Sequence, residues 1–134
     1  VGSASPLIAV VDDETAVGTM LRRALRLAGY EVATFASGQE FLDSLPACPP
    51  TCVILDIHMP GLSGFEVEVR MRAQDIRVPI VLITASDDSA LDRSAAAAGA
   101  ICLLRKPFST DVLLAAVRRA LGESASTAPW ATEY

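Results

Sequence analysis

Apolar and polar positions fall in short blocks along the chain, and each block carries the period of one kind of element. Leu7–Asp12 is apolar at consecutive positions until it ends in acids, as a strand buried on both faces requires. Val17, Leu21, Ala24, Leu25 and Ala28 then recur at helical spacing, with Gly29 placed to cap the helix. Glu31–Ala36 sets Val32 and Phe35 among polar Glu31 and Thr34, the pattern an edge strand tolerates. Capping-box signatures follow at Ser37/Glu40, before Phe41, Leu42 and Leu45, and at Ser63/Glu66, opening a helix to about Gln74. Pro46–Pro50 breaks the chain before a third strand, Cys52–Ile57, and Pro79 precedes a fourth, Ile80–Ala85. An alanine-rich helix runs from about Asp88 to Ala98 and stops at Gly99. Ile101–Arg105 reads as a fifth strand, and Ser109–Leu121 as a last helix with Val112, Leu113, Ala116, Val117 and Ala120 on one face.

Strands that alternate with helices must run parallel and be joined by right-handed crossovers, which predicts a doubly wound α/β sandwich. The elements fill residues 6–122. The remainder, 123–134, is "ESASTAPWATEY", which reads as a linker or frayed end rather than a further element.

Composition narrows the function. At 134 residues the chain is one domain with room for a core that needs no disulfide or metal staple. Although 51% of residues are hydrophobic, no run approaches the roughly 18 that a membrane helix needs. No basic stretch precedes the first apolar run, and the start at Val1 suggests a processed or trimmed end, so a soluble, cytoplasmic protein is expected. The net charge is −5 and the arginines are scattered, which argues against a nucleic-acid face on this domain. Cys48, Cys52 and Cys102 lack metal-ligand spacing, and the last two lie in apolar strands, where cysteine packs as a small hydrophobe.

Chemistry concentrates where the strands end. In an open parallel sheet, ligands bind at the carboxyl ends of the strands. The first strand delivers Asp12 and Asp13, the third Asp56, the fourth Thr84 and the fifth Lys106, the only lysine in the chain. Acids in "VVDDE" also suit the first turn of a helix, and each other residue has a bland reading alone, but the set converges on one edge. Three carboxylates there require a cation, and an all-oxygen set suits Mg²⁺. A divalent cation beside a carboxylate and an ammonium is equipment for phosphoryl transfer, with one aspartate as nucleophile. Asp56, the lone acid in a central apolar strand, is the candidate nucleophile, and Asp12 with Asp13 the candidate metal pair. No Gly-x-Gly-x-x-Gly follows the first strand, which removes the dinucleotide alternative.

The motifs "VVDDE", "ILDIHMPGLSG", "VLITA" and "RKPF", in this order, resemble the receiver domain of bacterial two-component response regulators over about Pro6–Gly122. The resemblance implies a flavodoxin-like three-layer sandwich with sheet order 2-1-3-4-5. It implies a regulatory phosphoacceptor rather than an enzyme, which takes a phosphoryl group onto Asp56 from a sensor histidine kinase or phosphotransfer protein. Asp12, Asp13, Asp56 and the backbone carbonyl of His58 would hold Mg²⁺, while Thr84 and Lys106 would contact phosphoryl oxygens. It also implies a commonly cis Lys106–Pro107 bond, roles for His58 and Ser86 in tuning dephosphorylation, and homodimerisation on phosphorylation. The family's aromatic residue on the fifth strand is replaced by Leu103, so the usual aromatic reorientation is lost. The linker-like end points to a longer parent, most simply a transcriptional regulator. The competing readings are an aspartyl-phosphate phosphatase of haloacid-dehalogenase type, which would place its nucleophile on the first strand, and a degenerate receiver that acts as a binding module.

Overall fold

The structure, a computed structural model, describes residues 6–122. The expected linker at 123–134 lies outside the described residues. Ten elements alternate: β1 (Leu7–Val11), α1 (Thr15–Leu27), β2 (Glu31–Phe35), α2 (Gly38–Ser44), β3 (Cys52–Asp56), α3 (Gly64–Ala73), β4 (Ile80–Thr84), α4 (Ala90–Ala97), β5 (Cys102–Arg105) and α5 (Thr110–Leu121). The strands form one parallel sheet in the order β2-β1-β3-β4-β5. This is the doubly wound sandwich expected from the alternation.

Side chains on successive strand residues point to opposite faces, so each buried strand feeds two cores. Ile8 and Val10 of β1, with Ile54 of β3 and Ile83 of β4, pack with Leu21 and Leu25 of α1 and Leu113 and Val117 of α5. Ala9, Val11, Leu55 and Leu82 face the other way, with Phe41 of α2, Val67 and Met71 of α3, Ala95 of α4 and Leu103 of β5. β2 lies at the edge, and its Glu31 and Thr34 are exposed as their pattern predicts. Cys52 and Cys102 are buried in the first of these cores, whereas Cys48 is exposed.

Three local details differ from expectation. No acid lies in the first turn of α1: Asp12 and Asp13 precede the helix and Glu14 takes the N-cap position. The box at α2 is only half made, since Ser37 accepts from Glu40 N–H but Glu40 reaches the N–H of Ala36. The box at α3 is complete in both directions. α4 starts at Ala90 rather than Asp88 because the Asp88 carboxylate reaches forward to accept from Ala90 N–H at 2.9 Å, which holds residues 88–90 in a turn.

α4 is the least anchored helix by side chain. Its one buried residue is Ala95, against Leu113, Ala116, Val117 and Ala120 in α5. Leu103 is 7% exposed and packs in the core that underlies α4. Leu103→Ala is therefore expected to destabilise the domain by roughly 2–4 kcal/mol through the cavity it opens. Urea unfolding would measure this, and a loss well under about 1 kcal/mol would mean that the small side chains around it collapse into the space.

Candidate functional site

The parallel sheet brings the carboxyl ends of β1, β3, β4 and β5 to one edge, and short loops keep the residues that follow them there. The Asp12 N–H donates to the carbonyl of Phe35, which extends β1 by one residue beyond Val11. Asp56 closes β3 in register with Ile83. α3 then starts close behind it: Gly64 N–H donates to the Ile57 carbonyl at 2.9 Å. A methyl group on Gly64 would sit 2.5 Å from the Asp56 carbonyl oxygen, so only glycine permits this approach of helix to strand end. Lys106 N–H donates to the Thr84 carbonyl at 2.8 Å, which fixes the lysine beyond the end of β5, and its bond to Pro107 is cis.

Asp12, Asp13 and Asp56 come together, with one carboxylate oxygen from each lying within 4.8 Å of the others. Asp12 and Asp56 are each 4% exposed, and Asp13 is open to solvent. Lys106 reaches into the group. Its Nζ lies 2.9 Å from Asp12 Oδ2, 3.2 Å from Glu14 Oε1 and 3.7 Å from Asp56 Oδ2. The other Asp12 oxygen accepts from Glu14 N–H at 2.9 Å. Asp12 is thus committed on both oxygens, while Asp56 accepts a long bond of 3.4 Å from His58 N–H.

These distances set the charge balance. Burial, then repulsion from Asp12, pushes the Asp56 carboxyl from 3.8 up to about 6, against the pull of Lys106. Burial alone would depress Lys106, but its bond to Asp12 and the charges of Asp56 and Asp12 raise it above its ordinary value. One ammonium facing three carboxylates, with Asp13 beside them, leaves the edge negative, and an all-oxygen donor set within this spacing fits a hard divalent cation.

Thr84 is fully buried, and its hydroxyl accepts from Ser86 N–H at 3.1 Å and lies 3.3 Å from His58 Nδ1. His58 and Ser86 therefore meet at Thr84 rather than standing apart in their loops. Sequence patterning missed two participants. Glu14 belongs to the quoted acidic run, yet its pairing with Lys106 spans 92 positions of sequence. Arg105, the one polar residue of β5, carries its guanidinium to the loop after β4.

The comparisons with known proteins agree with this geometry. The family model described as the response regulator receiver domain matches residues 8–118. The transcriptional regulatory protein FixJ of Bradyrhizobium diazoefficiens is 39% identical over 117 residues, covering 87% of this chain and 57% of that protein. The transcriptional regulatory protein PrrA of Mycobacterium bovis is 42% identical over 133 residues, covering 98% of this chain and 57% of its own length. The chain thus spans little more than half the length of these relatives. Among solved structures, a response regulator receiver protein from Burkholderia phymatum superposes with a TM-score of 0.80 at 44% identity, covering 92% of this chain and all of that one. The FixJ-N structure gives a TM-score of 0.83 at 28% identity, over 93% of this chain and 100% of the other. With the sheet order, the convergent acids and these matches in hand, the chain belongs to the response regulator receiver domain family.

Proposed function

We propose that this domain accepts a phosphoryl group on Asp56 from a sensor histidine kinase or phosphotransfer protein, and that the modified state switches an output. The observation that carries this reading is the buried Asp56 carboxylate at the end of the central strand, 3.7 Å from the Lys106 ammonium and grouped with Asp12 and Asp13. In the transfer, the N–P bond of a phosphohistidine breaks as an Asp56 oxygen forms the new O–P bond, and the freed imidazole takes a proton from solvent. Because Asp56 titrates near 6, it is mostly a carboxylate, hence nucleophilic, at neutral pH.

Asp13 and Asp56, with the backbone carbonyl of His58, would hold Mg²⁺ most directly, while Asp12 is shared with Lys106. When bound, the cation offsets charge on the incoming phosphoryl oxygens. Lys106 neutralises a further share, and Thr84 turns its hydroxyl from His58 toward the phosphoryl group. His58 and Ser86, by competing for that hydroxyl, set how readily it turns and so tune dephosphorylation. The role is regulatory rather than enzymatic.

Support for the output comes from relatives named as transcriptional regulators. On this reading residues 6–122 form the receiver unit, 123–134 link it to a transcriptional output domain in a longer, cytoplasmic parent, and phosphorylation favours a homodimer. The domain itself binds neither nucleic acid nor membrane. Among the described residues, no helix is long and apolar enough to cross a membrane.

A small phosphodonor such as acetyl phosphate is expected to label Asp56 only with Mg²⁺ present, and Asp56→Asn to abolish labelling in a folded chain. Acid-stable phosphate on a serine or threonine would overturn the assignment. Lys106→Arg keeps the charge but replaces a compact ammonium by a bulky planar fork. It is expected to leave Asp56 modifiable while weakening phosphorylation-dependent self-association by about tenfold or more; wild-type association, followed by sedimentation, would show that Lys106 plays no part.

The raised Asp56 also predicts a pH effect on the metal-free fold. The folded carboxyl titrates near 6 and the unfolded one near 3.8. Between these values the folded chain holds a proton the unfolded chain has lost, so this contribution to stability declines as pH rises through the window. In EDTA, Asp56→Asn should therefore stabilise the domain at pH 7 by roughly 1–3 kcal/mol, with the gain vanishing below about pH 4. Thermal melts across pH would check both limbs.

A further inference from the structure

Arg105 ends β5 one residue before Lys106 and pairs in register with Thr84. Its guanidinium is engaged by the loop after β4 and by α4. Nε donates to the Ser86 carbonyl at 3.2 Å, and Nη2 to the Asp88 carbonyl at 2.8 Å, both in the loop between β4 and α4. Nη1 meets Asp92 Oδ1 on α4 at 3.1 Å. One planar fork thus holds two loop carbonyls and a helix carboxylate, a geometry that suits arginine and that a single ammonium cannot reproduce.

The same loop grips Thr84. Ser86 N–H donates to Thr84 Oγ1 at 3.1 Å, and Asp88 N–H donates to Ser86 Oγ at 3.1 Å. A hydrogen-bonded path therefore runs from Thr84 through Ser86 and Arg105 to Asp92. α4 has little else to hold it there: Ala95 is its one buried residue, Leu91 is half-buried, and its N-cap residue Ser89 makes no side-chain cap. Leu103, which stands where an aromatic partner for Thr84 is expected, has no polar atom and is buried. An isolated exposed ion pair such as Arg105–Asp92 contributes little by itself. The two carbonyl bonds make the difference, because they tie the backbone of the Thr84 loop to the same guanidinium.

We infer that Arg105 is a positioning residue that makes the Thr84 loop and α4 move as one body, so that a turn of Thr84 toward a phosphoryl oxygen is passed to α4. The inference deepens the reading of Asp56 as phosphoacceptor and rests on it for its signalling half. The mechanical half stands without phosphorylation, since the fork is already closed in the resting chain.

The test compares the full chain with its Arg105→Ala and Arg105→Lys variants by NMR. In the ligand-free proteins, amide hydrogen exchange at Ser86, Asp88 and Ala90 is expected to speed up about tenfold or more in both variants, with exchange in β1 and β3 unchanged. Mg²⁺ and beryllofluoride are then added, with site filling read from the fluorine resonance of the bound ion and the α4 response from the Ala90–Ala97 amide shifts. Filling is expected to persist while the α4 shifts shrink by about half or more. Arg105→Lys keeps the stem and the charge, so it decides the matter if the alanine variant does not fold. Unchanged loop exchange in the ligand-free variants, or a wild-type α4 response at equal filling, would overturn the proposal. A wild-type chain that binds no beryllofluoride would remove the phosphoacceptor reading instead, and the exchange measurement would still decide whether Arg105 couples the loop to α4.

Discussion

Like charge confined to the dry edge of an apolar sheet governs this molecule. Asp12 and Asp56 are nearly excluded from water, and their mutual repulsion persists because the strands that carry them are locked in place by two cores. Lys106 relieves the strain in part. It arrives from a position 94 residues further along the chain, just beyond the end of β5, and meets Asp12 at 2.9 Å. Carboxylates of this kind keep an affinity for additional positive charge without any movement of the backbone, because parallel topology has already assembled the edge. The fold and the chemistry are therefore one constraint: a shift in the register of β1 against β3 would turn Asp12 or Asp56 into a core.

Most of the architecture was legible because buried parallel strands are short, continuously apolar and bounded by turn residues. All five lie within about a residue of the ends that the pattern predicts, and Asp12, Asp13, Asp56, Thr84 and Lys106 lie at the strand ends as that pattern places them. What escaped was pairing. Nothing local says that Glu40 turns back to Ala36 instead of completing its box with Ser37, or that Glu14 faces Lys106. The contact of His58 with Thr84 joins residues 26 apart and depends on how two loops lie side by side. By its pattern Arg105 is the last residue of a strand; its three acceptors lie 13 to 19 positions away, two in a turn whose shape is set by Asp88 and one on α4.

Anchoring is distributed unevenly over the two faces. α5 is held by four buried side chains and capped at both ends, by Ser109 and by Gly122 in the left-handed region, whereas α4 rests on one alanine and on polar bonds at its start. Elements with few buried apolar contacts open at lower free energy than the core they border. A helix so held can be displaced while the two packed cores keep β1 and β3, and with them Asp12 and Asp56, in place.

The three cysteines differ sharply in accessibility. Burial raises Cys52 to about 12, with the neighbouring Cys102 adding to it, and Cys102 to about 11, so both remain thiols at neutral pH behind packed side chains. Only thiolates attack disulfides, maleimides or peroxides at useful rates. Cys48 is exposed in the turn between α2 and β3, ahead of the amino end of that strand and so at the opposite edge of the sheet from the carboxylates. The native chain consequently offers a single ready thiol for alkylation among its described residues, where a fluorophore or spin label can be fixed without touching the acidic edge.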